Sequence, residues 1–146
     1  MTISESVTIN KPVSEVYPAF LDIEAIGNRI PGIVKTEVIS DTQTGVGTVW
    51  KETRVMMGKE VTEQMEVTGA QENTLIEITS NSAGTLYTTE YIFQERDGAT
   101  EVTMKFSGVA QTFMAKIFTP LAALMAGSMK KMLKSDLESM KQSLEG

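Results

Sequence analysis

Two hydrophobic periods divide this chain. Between residues 33 and 107 apolar side chains recur at every second position in short runs, whereas before and after that stretch they recur at every third or fourth. The first period is that of strands with one buried face, and the second that of helices. At the start, "SVTI" alternates and predicts a short strand at Ser6 to Ile9. In "NKPVSEVYPAFLDIEAIGNRIPG" the residues Val13, Val16, Tyr17 and Phe20 share a helical face, with Asn10 as N-cap and Pro12 near the first turn. Pro18 removes a donor and crowds the preceding turn, so this helix is expected to bend or stop early. Asp22 then caps a second short helix holding Ile23 and Ile26, which Gly27 and Pro31-Gly32 end.

The alternating stretch reads as six strands: "IVKTEVIS", "VWKETRVMM", "EVTEQMEV", "TLIEITS", "TLYTTEYIFQ" and "TEVTMKFS". Between them lie "TQTGVG", a tight Gly58-Lys59 link, "TGAQEN", "NSAG" and "ERDG". Links this short join antiparallel neighbours, because parallel pairs need long crossovers, so the strands are expected to form a meander. No repeat or linker interrupts residues 1–146, which predicts one domain.

From about Thr112 to Leu144 the positions Phe113, Ile117, Leu121, Leu124, Met125, Met129, Met132, Leu133, Leu137, Met140 and Leu144 follow a helical period. Lys130, Lys131, Lys134, Asp136, Glu138 and Lys141 are assigned to the solvent side. Thr119-Pro120 restarts or kinks the helix, and Pro120 to Leu144 would be roughly 37 Å long. The window from Val109 to Met129 has the length of a membrane span but holds Gln111, Lys116 and Pro120, so no stable membrane insertion is expected.

Composition then removes whole classes of chemistry. The chain has no cysteine and no histidine, which excludes disulfides, thiolate nucleophiles, histidine bases and histidine- or cysteine-bound metals. A formal net charge of −6 with scattered basic residues argues against a nucleic-acid surface. The amino terminus shows no basic start followed by an apolar run, which makes a cytoplasmic location the expectation. No calcium-type acidic loop or phosphate loop appears, so neither a metal nor another cofactor is expected.

The order of elements, with "SVTINKPVSEVYPAFLD", "IPGIVKTEVIS", "GVGTVWKE" and the terminal "DLESMKQSLE", resembles the START-like, helix-grip superfamily of polyketide cyclases, pathogenesis-related allergens and lipid-transfer domains. The resemblance covers essentially the whole chain, and these segments are scaffold signatures, not catalytic motifs. It implies an α+β fold: a seven-stranded curved antiparallel sheet wrapped round a long C-terminal helix, with two short helices between strands 1 and 2. It also implies an elongated cavity between helix and sheet that holds an apolar or amphipathic small molecule.

Candidate site residues follow from the faces. In "TVWKETRVMM" one face carries Thr48, Trp50, Glu52, Arg54 and Met56, and the lone tryptophan favours turning that face inward. Glu52 and Arg54 then form a buried polar pair able to orient a carbonyl, phenol or carboxylate; on the other assignment they are an exposed ladder of little consequence. Replacing Arg54 by Ala is accordingly expected to weaken ligand binding and spare the fold. Tyr87, Tyr91 and Phe93 share one strand face, and Val102, Met104 and Phe106 another. Glu60, Glu63 and Glu66 read as a solvated face. The expected ligand-binding set is Trp50, Arg54, Met65, Tyr87, Tyr91, Phe93, Met104, Phe106, Ile117, Leu121, Met125 and Met129. Catalytic candidates are Glu52, Arg54, Tyr87 and Tyr91. Methionine is flexible and polarisable, which suits an adaptable pocket wall, although the same methionines also serve as ordinary core filler.

Three functional readings stay open at this level. One is a binding protein for a small hydrophobic or aromatic molecule. Another is a cyclase, aromatase or dehydratase that works by confinement and modest acid–base help, without metal or histidine. The third is a protein-interaction module of the chaperone-activator kind. No oligomeric state is assigned.

Overall fold

In the computed structural model, which describes residues 2–56, 58–117 and 125–146, every strand pairs antiparallel with its neighbour. Strand β1 (Thr2–Ile9) is followed by helices α1 (Val13–Leu21) and α2 (Ile23–Arg29). Then come β2 (Ile33–Val38), β3 (Val49–Met56), β4 (Lys59–Gln71), β5 (Leu75–Ser82), β6 (Thr85–Arg96) and β7 (Ala99–Ala110). A short α3 (Phe113–Ile117) and a long α4 (Ala126–Glu145) complete the order. The seven strands form one sheet in the order β1-β7-β6-β5-β4-β3-β2, the open curved sheet of the helix-grip fold. Its meander is continuous from β2 to β7, and β1 crosses over to pair with β7.

Turn chemistry sets the register. Ala83-Gly84 and Asp97-Gly98 all have positive φ, between 50° and 79°, the conformation of two-residue hairpin loops that twist with their strands. These loops fix Ser82 opposite Thr85 and Arg96 opposite Ala99. Two register shifts, between Ile33 and Lys35 and between Val67 and Gly69, bend the sheet towards its concave face. The "TGAQEN" segment is therefore mostly strand: β4 continues through Gln71, and its turn is confined to residues 72–74. β1 likewise begins at Thr2, four residues before the expected start, because Ile3 and Val7 continue the buried face on either side of Glu5.

The helical segments differ from expectation at their ends. Asn10 does not cap α1. Pro12 occupies that position in extended geometry with no side-chain cap, and the Val13 amide donates to Glu95 Oε1 at 2.8 Å. A carboxylate brought from β6 thus satisfies the helix N-terminus that a local side chain leaves open. Pro18 lies within α1, which stops after nine residues. Asp22 caps α2, accepting from the Ala25 amide at 3.2 Å. Gly27 does not end α2 but lies inside it, where a Cβ would come within 2.9 Å of Thr36 on β2. Helix α4 spans 20 residues, about 30 Å, and the expected Thr119-Pro120 break falls outside the described residues.

The core is filled most tightly where α1, α2 and the second half of α4 meet the sheet. Phe20 packs edge-on against Tyr91 and Phe93, with ring centroids 5.1 and 5.4 Å apart, and Tyr17 against Phe93 at 5.1 Å. Ile9, Val16, Ile76, Val102, Leu133, Leu137 and Met140 complete this region with almost no exposure. Helix α4 is pinned to β1 by Lys134, whose Nζ donates to Ser6 O at 2.8 Å, and by Lys141, whose Nζ donates to Thr8 O at 2.5 Å.

Candidate functional site

At the other end of the concave face the packing opens into a cavity of about 310 Å³. Strand alternation builds its walls. β3 contributes Glu52, Arg54 and Met56, and β4 contributes Val61, Glu63 and Met65. Ile78, Ser80 and Ser82 come from β5, while Tyr87, Thr89 and Phe106 come from β6 and β7. Met125, just before α4, and Met129 and Met132 in its first turns close the cavity from the helix side. Tyr87 and Phe106 stack, with centroids 5.5 Å apart and planes 15° from parallel. Gly108, opposite Tyr87 in the β6–β7 ladder, leaves room for that ring: a Cβ there would lie 3.1 Å from it.

One polar cluster interrupts this apolar lining. The face of β3 that carries Trp50 points inward, so Glu52 is 7% exposed and Arg54 lies beside it. Arg54 Nε donates to Glu52 Oε2 at 2.8 Å. Its two terminal nitrogens reach across to α4 and grip Asp136, Nη2 to Oδ2 at 2.8 Å and Nη1 to Oδ1 at 3.2 Å. A fork of this kind suits the planar guanidinium and ties the sheet to the helix. Burial works against the Arg54 charge, but Asp136 and then Glu52 outweigh it, and the guanidinium is held more firmly protonated than a free one. For Asp136 burial dominates: it raises the carboxyl above its ordinary 3.8, and Arg54 offsets only part of that rise. The Tyr91 phenol is raised as well, first by burial and then by the negative charges of Asp136 and Glu52.

Asp136 corrects the expectation from sequence. The charge pattern puts it on the solvent side of the helix with the lysines, yet it is 7% exposed on the stripe of Leu133, Leu137 and Met140. The helical period places positions 133, 136, 137 and 140 on one face, and here period outweighs charge. Glu63 is the second correction. Glu60 and Glu66 are exposed, but Glu63 falls on the opposite, inward face of β4 with Val61 and Met65. It accepts from Ser82 Oγ at 3.2 Å, and it stands directly across the ladder from Glu52.

Six of the residues expected to contact a ligand come together on the cavity wall: Arg54, Met65, Tyr87, Phe106, Met125 and Met129. Trp50, Phe93 and Met104 instead sit in the core at 2%, 5% and 5% exposure, and Tyr91 packs against that core, edge-on to Phe20. Ile117 is 52% exposed on α3, away from the lining, and Leu121 lies outside the described residues. Among the catalytic candidates, Glu52, Arg54 and Tyr87 face the cavity, whereas Tyr91 does not line it. Sequence reasoning missed Met132, whose helical spacing from Met125 and Met129 places it on the same wall. Among the described residues no cluster of carboxylates converges as a metal site, and no helix is long and apolar enough to cross a membrane.

Comparison with known proteins fits this architecture. The chain resembles the Thermus thermophilus protein TTHA0849 at 19% identity, with 99% of this chain and 97% of that one covered and a TM-score of 0.81. A START superfamily protein from Mycobacterium smegmatis superposes with a TM-score of 0.75 at 14% identity, over 98% of each chain. The di-domain ARO/CYC protein StfQ of the steffimycin biosynthetic pathway gives 0.80 at 9% identity, with 99% of this chain matched to 50% of that one. Identities this low establish the fold alone. No curated protein matches. The family model described as "Polyketide cyclase / dehydrase and lipid transport" matches residues 1–145, and with the helix-grip sheet and its cavity this places the chain in that START-like family.

Proposed function

We propose that the protein holds a small hydrophobic or aromatic molecule, in the cytoplasm, between the concave sheet and the start of α4. The observation that carries this reading is the cavity itself. Its lining is mostly Met, Val, Ile and aromatic side chains with a few convergent polar groups, the composition of a small-molecule site. Its volume of about 310 Å³ lies at the small end of the usual range of roughly 300–1,000 Å³, which favours a ligand of one or two rings or a short chain.

Native mass spectrometry of the protein purified from its own host tests the reading. A small molecule near one-to-one occupancy is expected, and a Met129→Trp variant, which fills the cavity from the helix side, should lose it while keeping a native circular dichroism spectrum. Full occupancy in that variant would place the ligand elsewhere.

A second reading, a cyclase or dehydratase, is supported by the family description and by Glu52, Arg54 and Tyr87 sharing the cavity wall. Confinement would fold a reactive polyketone there, and the polar groups would assist proton transfer. Turnover of a model poly-β-ketone that falls by at least about tenfold in Tyr87→Phe would favour this reading over a carrier.

A further inference from the structure

The charge of the cavity is unbalanced, and the imbalance selects among ligands. Around the site stand three carboxylates, Glu52, Glu63 and Asp136, against one guanidinium. Arg54 is already engaged by two of them through three of its donors. It is therefore a poor receptor for an acidic ligand, which would have to compete with two carboxylates held at hydrogen-bond distance. Glu63 is the opposite case. It lines the cavity with only the neutral Ser82 hydroxyl on it, and no ammonium or guanidinium pairs with it among the described residues. It also faces Glu52 directly across the β3–β4 ladder, a like-charge placement that is unfavourable unless something positive lies between or beside the two groups. Arg54 meets that need for Glu52 alone.

The remaining lining suits the same kind of guest. Tyr87 and Phe106 present π systems to the cavity, and Met65, Met129 and Met132 present polarisable sulfur. The ring faces attract an organic cation, and the methionines adapt to the shape of its apolar body. We infer that the preferred ligand is a cationic amphiphile, a protonated amine on an aromatic or apolar body, with its ammonium on Glu63 and its body among the methionines and the Tyr87–Phe106 pair. This inference rests on the cavity being a ligand site and narrows the class of molecule that enters it.

Three probes that share one body separate the two claims: 3-phenylpropylamine, 3-phenylpropanol and 3-phenylpropanoic acid, titrated calorimetrically into the protein near pH 7. The amine is expected to bind roughly tenfold tighter than the alcohol, because it brings a full positive charge to the Glu63 carboxylate where the alcohol brings only a neutral donor, and the acid weakest of all. Glu63→Gln, nearly isosteric, should abolish the preference for the amine over the alcohol when both are measured in that variant. If the alcohol binds but the amine binds no tighter, or if the acid binds best, the charge inference is overturned and the cavity reading stands. An amine preference that survives intact in Glu63→Gln also overturns it, since the ammonium then rests elsewhere. If none of the three binds, the cavity reading itself falls and takes the inference with it.

Discussion

Helix α4 covers the sheet with two different halves. From Leu133 onward it sets Leu133, Leu137 and Met140 into a region completed by Phe20, Tyr17 and Phe93, where side chains are almost fully buried. Its first turns set Met129 and Met132 over a void. The helix has the same period in both halves, and the sheet alternates in the same way beneath both. What differs is a third layer: α1 and α2 bring Val16, Tyr17, Phe20 and Ile23 into the core at one end of the concave face. At the other end, among the described residues, the cavity walls come from the sheet, Met125 and α4. A curved sheet and one helix do not fill the space between them, so the placement of the two short helices decides where the hollow lies.

Substitutions that exchange the roles of the two ends measure this contrast. The largest loss is expected for Phe20→Ala at the filled end, about 4 kcal/mol from burial and cavity terms together, read as a fall in the urea midpoint. Arg54→Ala should follow at about 3 kcal/mol, because it leaves Glu52 and Asp136 buried without a counter-charge. The sequence alone suggested that this change would spare the fold; the fork onto Asp136 reverses that expectation. Met129→Ala should cost under about 1 kcal/mol, since part of that side chain already faces empty space. A cost as large as that of Phe20→Ala would mean that the two ends are packed alike.

The smallest effect is electrostatic. The folded-state pKa of Asp136 lies above its ordinary 3.8, so the native protein takes up this proton more readily than the unfolded chain does. By linkage its contribution to stability grows as pH falls from neutral through that raised value, and levels off below the ordinary one. Urea midpoints of the parent and Asp136→Asn, compared at about pH 7 and about pH 4, should show the parent gaining relative to the variant on acidification. A constant gap would mean that Asp136 titrates alike in both states.

Most of the scaffold was legible because each element carries its own local signal. Alternation set the strands, Gly84 and Gly98 marked two of the hairpin turns, and Asp22 marked the start of α2. The lone tryptophan turned the correct face of β3 inward and with it Glu52 and Arg54. What escaped was the part of the site that depends on distant partners. Nothing near Asp136 in sequence announces that an arginine 82 positions away will bury it, and Glu63 looked like its neighbours Glu60 and Glu66 until parity was counted. Trp50, Phe93 and Met104 have the right face for a pocket but the wrong position along it, since the filling by α1 and α2 is a matter of packing in three dimensions.

The two lysines that fasten α4 to β1 have an effect beyond holding the helix. β1 is a terminal strand of an open sheet, and Ser6 and Thr8 lie on it at alternate positions whose carbonyls are turned away from β7. A bare row of such groups is a template for another extended chain. By placing an ammonium on each, Lys134 and Lys141 let the helix occupy the stretch from Ser6 to Thr8 that an eighth strand would otherwise use, which blunts this part of the margin as a template.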